Sequence, residues 1–320
     1  MKIFRLRFFS LENFFSGSIF ESMQMIPEQF KTIAVAAPAG PLAVERFTDG
    51  VNWLRATGKM LRIMPHVNGP SSARYLAASA EARAADLSAA WLDPEVDLLL
   101  AARGGFGSAQ LLELLDWRRL AARPLLPVVG YSDITALHWA MISRNAGSPL
   151  VGPMLGKLSE AEHSSYTVRT FRAALERIPM ELPPAPEFGP FQVWNRGTAS
   201  GLPLPGNLAV AVTLCGTPFC PDPAGKILLF EDLNEPAYKL DRYLTQLRQN
   251  GFFRRAAGVI FGQFLDCAPR EELNRLFQEV ADEVRGPVLS NFPFGHLFPL
   301  ACLNCRMPLT VEGDRVFTEA

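Results

Sequence analysis

A serine at the end of an apolar run is the first residue in this chain placed to do chemistry. Leu125-Leu126-Pro127-Val128-Val129-Gly130 reads as a buried strand, Tyr131-Ser132-Asp133 as a tight turn, and Ile134 to Ile142 as the following helix. That order lifts the Ser132 hydroxyl off the carboxyl edge of a sheet, with a helix N-terminus beneath it, which is how an α/β fold exposes a nucleophile. The spelling is not G-x-S-x-G, and Asp133 and Thr135 serve equally well as helix-capping residues after an ordinary turn.

A second turn of the same kind lies upstream. Arg103-Gly104-Gly105-Phe106-Gly107-Ser108 separates a strand at Val96 to Ala101 from a helix expected at Ala109 to Leu115. Free backbone N–H groups in such a turn can hold a phosphate, a carboxylate or a developing oxyanion. A tight turn that needs positive φ explains the glycines too. Neither G-x-G-x-x-G nor G-K-[ST] is present, so dinucleotide and P-loop readings fit poorly. Two turns on one sheet edge can converge, which makes Gly104-Gly105 and Ser132 candidates for one site.

Serine hydrolysis also needs a base near the hydroxyl and an acid to orient that base. His296 sits in the apolar, Gly-flanked loop Asn291-Phe292-Pro293-Phe294-Gly295-His296, and Glu231 where the strand Lys226 to Phe230 ends in Glu231-Asp232. Read alone, His296 also fits a structural role, and Glu231 a helix cap or a partner for Arg242. Glu235, before Pro236, is an alternative acid or a turn residue.

The elements that must position these residues alternate. Thr32 to Ala37, Met60 to Pro65 and Val96 to Ala101 read as strands; Val44 to Thr57 and Tyr75 to Leu92 read as helices, so a parallel sheet covered on both faces is expected. Lys157 to Ile178 is a charged helical connection, and the proline-rich stretch 179–190 a linker. Beyond it, Phe191 to Leu202 suggests a strand pair, and Gly206-Asn207-Leu208 starts an apolar helix through Leu214. Helices at Tyr238 to Asn250 and Glu271 to Val284 alternate with strands at Gly258 to Gly262 and Val288-Leu289. The division is thus 1–30 extension, 31–178 nucleophile-bearing domain, 179–190 linker and 191–320 second domain.

Composition narrows the class. The chain has 320 residues, 48% of them hydrophobic and 20% charged, with a formal net charge of -1. That is a globular composition with no basic excess for nucleic acid, and no apolar run reaches the roughly 18–20 residues a membrane span needs. The five cysteines include Cys302-x-x-Cys305 but no second pair and no histidines at ligand spacing, so no metal and no cofactor is expected. They are read as reduced and mostly buried, in a cytoplasmic setting. Lys2, Arg5 and Arg7 before a Phe-rich run have the order of a secretory signal, but Glu12 and Asn13 interrupt it. Residues 1–30 are therefore read as a disordered or loosely packed extension, with Met23 or Met25 as an alternative start.

Taken together, Arg103 to Ser108, Leu114-Leu115-Asp116-Trp117, Gly130-Tyr131-Ser132-Asp133-Ile134-Thr135-Ala136-Leu137, Gly206-Asn207-Leu208, Gly216-Thr217-Pro218 and Phe230-Glu231-Asp232 resemble the LD-carboxypeptidases of peptidase family S66. So do Asp241 to Leu247 and Phe292 to His296, all in the family's order from about Thr32 onward. The resemblance implies an α/β protein: a glutamine-amidotransferase-like parallel-sheet domain carrying the serine, then a smaller β/α domain carrying Glu and His, often as a homodimer. It implies a Ser132, Glu231, His296 triad, an oxyanion hole from the N–H groups of Asp133 and Gly105, and substrate contacts at Arg103 and Gly104. The implied reaction is removal of the terminal D-alanine from cytoplasmic murein tetrapeptide, in peptidoglycan recycling. Alternatives are a microcin C-type immunity amidase of the same family and a catalytically dead peptide-binding protein. Two departures stand out: Pro149-Leu150-Val151 lacks the family's histidine before Gly152-Pro153, and Asn304-Cys305-Arg306 replaces its Pro-hydrophobic-Gly.

Overall fold

The computed structural model describes residues 25–68 and 75–319. Residues 1–24 of the expected extension lie outside that range. The rest of the extension is not loose: Met25, Ile26 and Phe30 are buried, and Lys59 Nζ donates to Pro27 O at 2.8 Å. Apolar side chains at three of these six positions give the segment a face to bury.

The first sheet has six strands in the order β12-β5-β4-β3-β1-β2. Its parallel part is β1 (Thr32–Ala36), β2 (Met60–Ile63), β3 (Leu98–Ala101), β4 (Pro127–Gly130) and β5 (Ser148–Val151). The core strands β1, β3 and β4 are buried along their whole length. This explains their continuous apolar runs, since helices cover both faces of a parallel sheet. Sequence order reverses between β1 and β3, so the crevice at a switch point opens above their carboxyl ends. There Gly40 N donates to Gly104 O at 3.2 Å.

The second sheet runs β6-β11-β10-β9-β8, with β6 (Gln192–Asn195), β8 (Pro203–Asn207), β9 (Ile227–Leu233), β10 (Gly258–Leu265) and β11 (Val288–Ser290). All of its pairs are parallel except β6 with β11. A third, antiparallel sheet joins β14 (Arg315–Thr318), β13 (Leu309–Glu312) and β7 (Thr198–Gly201). The mixed architecture, with a larger parallel sheet first and a smaller sheet-and-helix unit second, matches the expected class. The two-residue β12 (Leu303–Asn304) returns to the first sheet and pairs antiparallel with β5.

Several elements differ from the sequence reading. The expected helix 109–115 is a single 3-10 turn, Ser108–Leu111. Gly107 O accepts from Gln110 N, three residues on, and from Arg83 Nη1, which diverts the chain from an i to i+4 pattern. The helix expected from Tyr75 starts at Ala80, where Ser79 accepts from Ala82 N as its cap. Residues 191–202 supply two strands that pair not with each other but with β11 and β13. β8 carries Pro203 and Pro205, which cannot donate to a ladder, and accordingly lies at a sheet edge. Its outward Pro205 O is met by Trp139 Nε1 at 2.9 Å, a bond between the two sheets. The helix after it, Leu208–Thr213, begins two residues later than read.

Arg83 ties the loops over the first sheet together. Its buried guanidinium donates to Pro38 O at 2.5 Å, Gly107 O at 2.8 Å, Ala78 O at 3.0 Å and Gln110 Oε1 at 2.6 Å. Replacing it by methionine strands these acceptors, each worth roughly 1–3 kcal/mol when buried and unpaired. Arg83→Met should therefore lower unfolding free energy by about 3 kcal/mol or more, read as a shift of the urea midpoint. An unchanged midpoint would show that the loops hold without it.

Candidate active site

Ser132 follows β4 with φ of 61°, a left-handed backbone that a non-glycine residue adopts only under constraint. One 3-10 turn then leads into the helix Thr135–Arg144. The strain is held from the Gly-rich turn. Ser108 N donates to Asp133 Oδ2 at 2.8 Å, and Ser108 Oγ donates to Asp133 O at 2.5 Å. Asp133 is therefore no helix cap; its side chain locks the Gly-rich turn against the serine turn, as their convergence on one edge requires.

That lock sets the close approach at Gly104. A β-carbon there would fall 2.9 Å from Ser132 Cβ, 3.0 Å from Ser132 Oγ and 3.4 Å from Asp133 N. Only glycine fits, and the Asp133 amide lies on the same side as the hydroxyl. Because Gly104 O is taken up by Gly40 N, the trans peptide points the Gly105 N–H the opposite way. Gly105 and Gly107 both have positive φ, 113° and 119°, so the turn and the site use the same glycines.

His296 and Glu231 come from the second sheet. Glu231 lies inside β9, not after it, in register with Asn207 of β8, and is 2% exposed. His296 Nδ1 is 2.7 Å from Glu231 Oε2, and the Tyr131 ring meets the imidazole edge-on at 5.4 Å between centroids. A carboxylate only accepts, so neutral His296 carries its proton on Nδ1 and leaves Nε2 as a free acceptor. Gln263 grips the loop just beyond, with Oε1 accepting from Leu297 N and Nε2 donating to Leu297 O. Glu235 is turned to Lys239, 3.1 Å away, and the Arg242 guanidinium sits over the Tyr238 ring.

Ser132, His296, Arg103, Gly104 and Gly105 line one cavity of about 430 Å³ at the carboxyl ends of the first sheet. A smaller cleft behind it touches Ser132, Asn207, Glu231 and Gly295. Arg103, Gly104, Gly105, Ser132 and His296 thus share one cavity, with Asp133 next to Ser132 and Glu231 behind His296, while Glu235 is paired with Lys239 instead. A serine hydroxyl, a histidine with a free nitrogen, a buried carboxylate and backbone donors are the groups acyl transfer requires.

Comparison with known proteins gives the family. Residues 33–151 match the family model for the LD-carboxypeptidase N-terminal domain, and residues 200–311 that for its C-terminal domain. A putative carboxypeptidase of Streptomyces coelicolor is 35% identical over 286 residues, 88% of this chain and 90% of the relative. The chain belongs to the LD-carboxypeptidase family. The murein tetrapeptide carboxypeptidase of Pseudomonas aeruginosa is 31% identical over 301 residues, covering 89% of this chain and 94% of its own. By class, then, the protein is a serine-type LD-carboxypeptidase. Among solved structures, the microcin C7 self-immunity protein in complex with aspartyl sulfamoyl adenosine superposes with a TM-score of 0.80 at 22% identity. That match covers 91% of this chain and 96% of the other. Muramoyltetrapeptide carboxypeptidase from Oxalobacter formigenes gives 0.75 at 23%, over 90% and 97%. At such identities the likeness is one of fold.

Three supporting residues of this LD-carboxypeptidase escaped the sequence reading. Asn207 N donates to Thr135 Oγ1 at 2.9 Å, and Asn207 Nδ2 to Asp232 Oδ1 at 3.0 Å. Asp232 also accepts from Ala209 N and Leu233 N. The Gly206-Asn207-Leu208 and Glu231-Asp232 motifs flagged the positions, but not the bond between them. Of the remaining histidines, His138 is buried and donates to Val128 O, and burial pushes its pKa down to about 4. His66 pairs with Asp86. Cys302 and Cys305 are buried, while Cys215, Cys220 and Cys267 are only half-buried; all five are free thiols. Burial lifts the Cys305 thiol to about 12. No helix among the described residues is long and apolar enough to cross a membrane.

Burial opposes the charged form of His296, but the hydrogen bond to Glu231 and the charges of Glu231 and Asp232 outweigh it, so its pKa is raised. Catalysis through neutral Nε2 should then fall as pH drops through that raised value. The protonated pair, conversely, stabilises the fold below the unfolded histidine pKa near ~6.5 and loses that contribution as pH rises through the folded value. Glu231→Gln should move the acid limb of kcat/KM to lower pH and cut kcat by about 10³-fold or more. Superimposable pH profiles for the two enzymes would remove Glu231 from the imidazole's electrostatic environment.

Proposed function

We propose that this chain hydrolyses the bond before the terminal D-alanine of murein tetrapeptide, using Ser132 as nucleophile, His296 as base and Glu231 as the acid that orients it. The observation carrying this reading is the 2.7 Å contact between His296 Nδ1 and Glu231 Oε2, with His296 and the strained Ser132 turn lining one cavity. The murein substrate is supported by the name of the Pseudomonas relative.

In the proposed reaction His296 Nε2 takes the Ser132 proton as Oγ attacks the scissile carbonyl. The amides of Asp133 and Gly105 receive the developing oxyanion, while Arg103 and Gly104 border the substrate. The imidazolium then protonates the departing nitrogen of D-alanine, leaving an ester on Ser132. Water, deprotonated by the same imidazole, releases the shortened peptide and restores the serine. We further place the enzyme in the cytoplasm, acting in peptidoglycan recycling as a homodimer; the free thiols fit a reducing compartment.

Because such a triad works as a unit, Ser132→Ala and His296→Ala should each lower kcat by about four to six orders of magnitude, and the double variant little further. Glu235→Gln, whose carboxylate faces Lys239, should cost far less than Glu231→Gln. The deciding assay offers murein tetrapeptide and an aminoacyl sulfamoyl adenylate side by side. Preferential cleavage of the adenylate would replace the murein reading with the amidase one, and full tetrapeptide turnover by a folded Ser132→Ala would overturn the nucleophile.

A further inference from the structure

An exopeptidase must recognise the free end of its substrate, and the cavity beside Ser132 is charged for that task. Arg46, Arg103 and Lys157 line it, and no Asp or Glu does. Arg103 is partly engaged, donating to Pro41 O at 3.1 Å. The other two are held as a pair. Lys157 Nζ lies 2.5 Å and Arg46 Nη1 3.5 Å from the same atom, Glu160 Oε2. One carboxylate oxygen therefore keeps two cations together that would otherwise repel. Each keeps unused donors, since an ammonium has three and a guanidinium five.

The backbone carrying Lys157 is fixed. Gly156 N donates to Ala102 O at 3.2 Å, just before Arg103, and Lys157 N donates to Met154 O at 2.9 Å. A β-carbon on Gly156 would fall 2.6 Å from Leu42 Cδ1, and one on Gly50 would collide with Leu155 O. The turn is thus packed closely between the end of β3 and the helix Val44–Ala56. Its lysine lines the same cavity as Ser132 and His296.

Position and chemistry then coincide. The nitrogen protonated by His296 belongs to the last residue, and its carboxylate carbon is only roughly 2.5 Å further along the chain. A cation that recognises that carboxylate has to stand next to His296. We propose that Lys157, backed by Arg46 through Glu160, binds the free α-carboxylate of the substrate's terminal residue and so makes the enzyme an exopeptidase. This rests on the hydrolase reading above and assigns its terminal subsite. Peptides ending in a carboxylate are substrates, and the same peptides ending in an amide are poor ones.

The test compares murein tetrapeptide with its C-terminal carboxamide on wild type, Lys157→Met, Lys157→Arg and Lys157→Met/Arg46→Met, all checked for unchanged melting temperature. Loss of a hydrogen bond to a charged group should raise KM for the free acid about 10- to 100-fold in Lys157→Met. KM for the amide should stay constant, and Lys157→Arg should restore much of the acid preference. A double variant that keeps the wild-type acid-to-amide ratio overturns the assignment. Titration of both peptides into Ser132→Ala enzyme, by calorimetry, separates this failure from that of the hydrolase reading. Tighter binding of the acid, erased by Lys157→Met, together with failure of the wild-type enzyme to cleave either peptide keeps the clamp and sinks the hydrolase. Equal binding of acid and amide sinks the clamp alone, and no binding of either sinks both.

Discussion

Asn207 holds the two halves of the site in register. Its backbone N–H reaches Thr135 in the helix that follows Ser132, its side-chain Nδ2 reaches Asp232 beside Glu231, and its side-chain Oδ1 accepts from Val210 N to cap the helix Leu208–Thr213. Neither sheet alone makes a site: the first presents a strained hydroxyl and backbone donors, the second a histidine and a carboxylate. Small side chains in the interface allow the approach, since a β-carbon on Gly206 would fall 2.8 Å from Thr135 Cγ2. Trp139 reinforces it by donating to Pro205 O and stacking on Phe252 at 5.8 Å.

The same junction sets the electrostatics. Glu231 and Asp232 are adjacent and both 2% exposed, an arrangement that is costly unless every oxygen finds a partner. Asp232 is met by two backbone N–H groups and the Asn207 amide, yet burial still raises its pKa to about 6. Its neighbour Glu231 is turned toward His296. The negative charge is thus confined behind the imidazole, while the charged side chains lining the cavity in front, Arg46, Arg103 and Lys157, are all cationic. A base poised between a buried acid and a cationic cleft suits a substrate whose leaving group is itself an anion.

Much of this was legible in the chain. Continuous apolar runs at Thr32 to Ala36, Leu98 to Ala101 and Pro127 to Gly130 announce strands buried on both faces, and the polar turns after them mark the carboxyl edge. The serine turn, the Gly-rich turn, Glu231 and His296 all stood out by residue type. What went astray has local causes. β5 and β8 are absent from the sequence reading; they contain Pro149, Pro203 and Pro205, which cannot donate to a ladder, and the sheet position that tolerates them is not local information. Residues 109–115 have helical composition, but Arg83 draws the Gly107 carbonyl away and leaves one 3-10 turn.

By itself, then, the sequence determined the alternation of elements, the chemistry of the candidate groups and their order Ser, Glu, His, because these depend on hydrophobic runs and residue types a few positions apart. Only the tertiary structure decided which groups meet. Glu231 rather than Glu235 faces His296 because β9 continues to Leu233, carrying Glu231 to the end of the imidazole loop, while Glu235 lies beyond it and pairs with Lys239. Ser108 locks onto Asp133 across 25 residues, and Asn207 onto Thr135 across 72. Such pairings carry no signature in local propensity: a hydrogen bond between loops of different strands follows from strand order and sheet packing, which the whole chain sets at once.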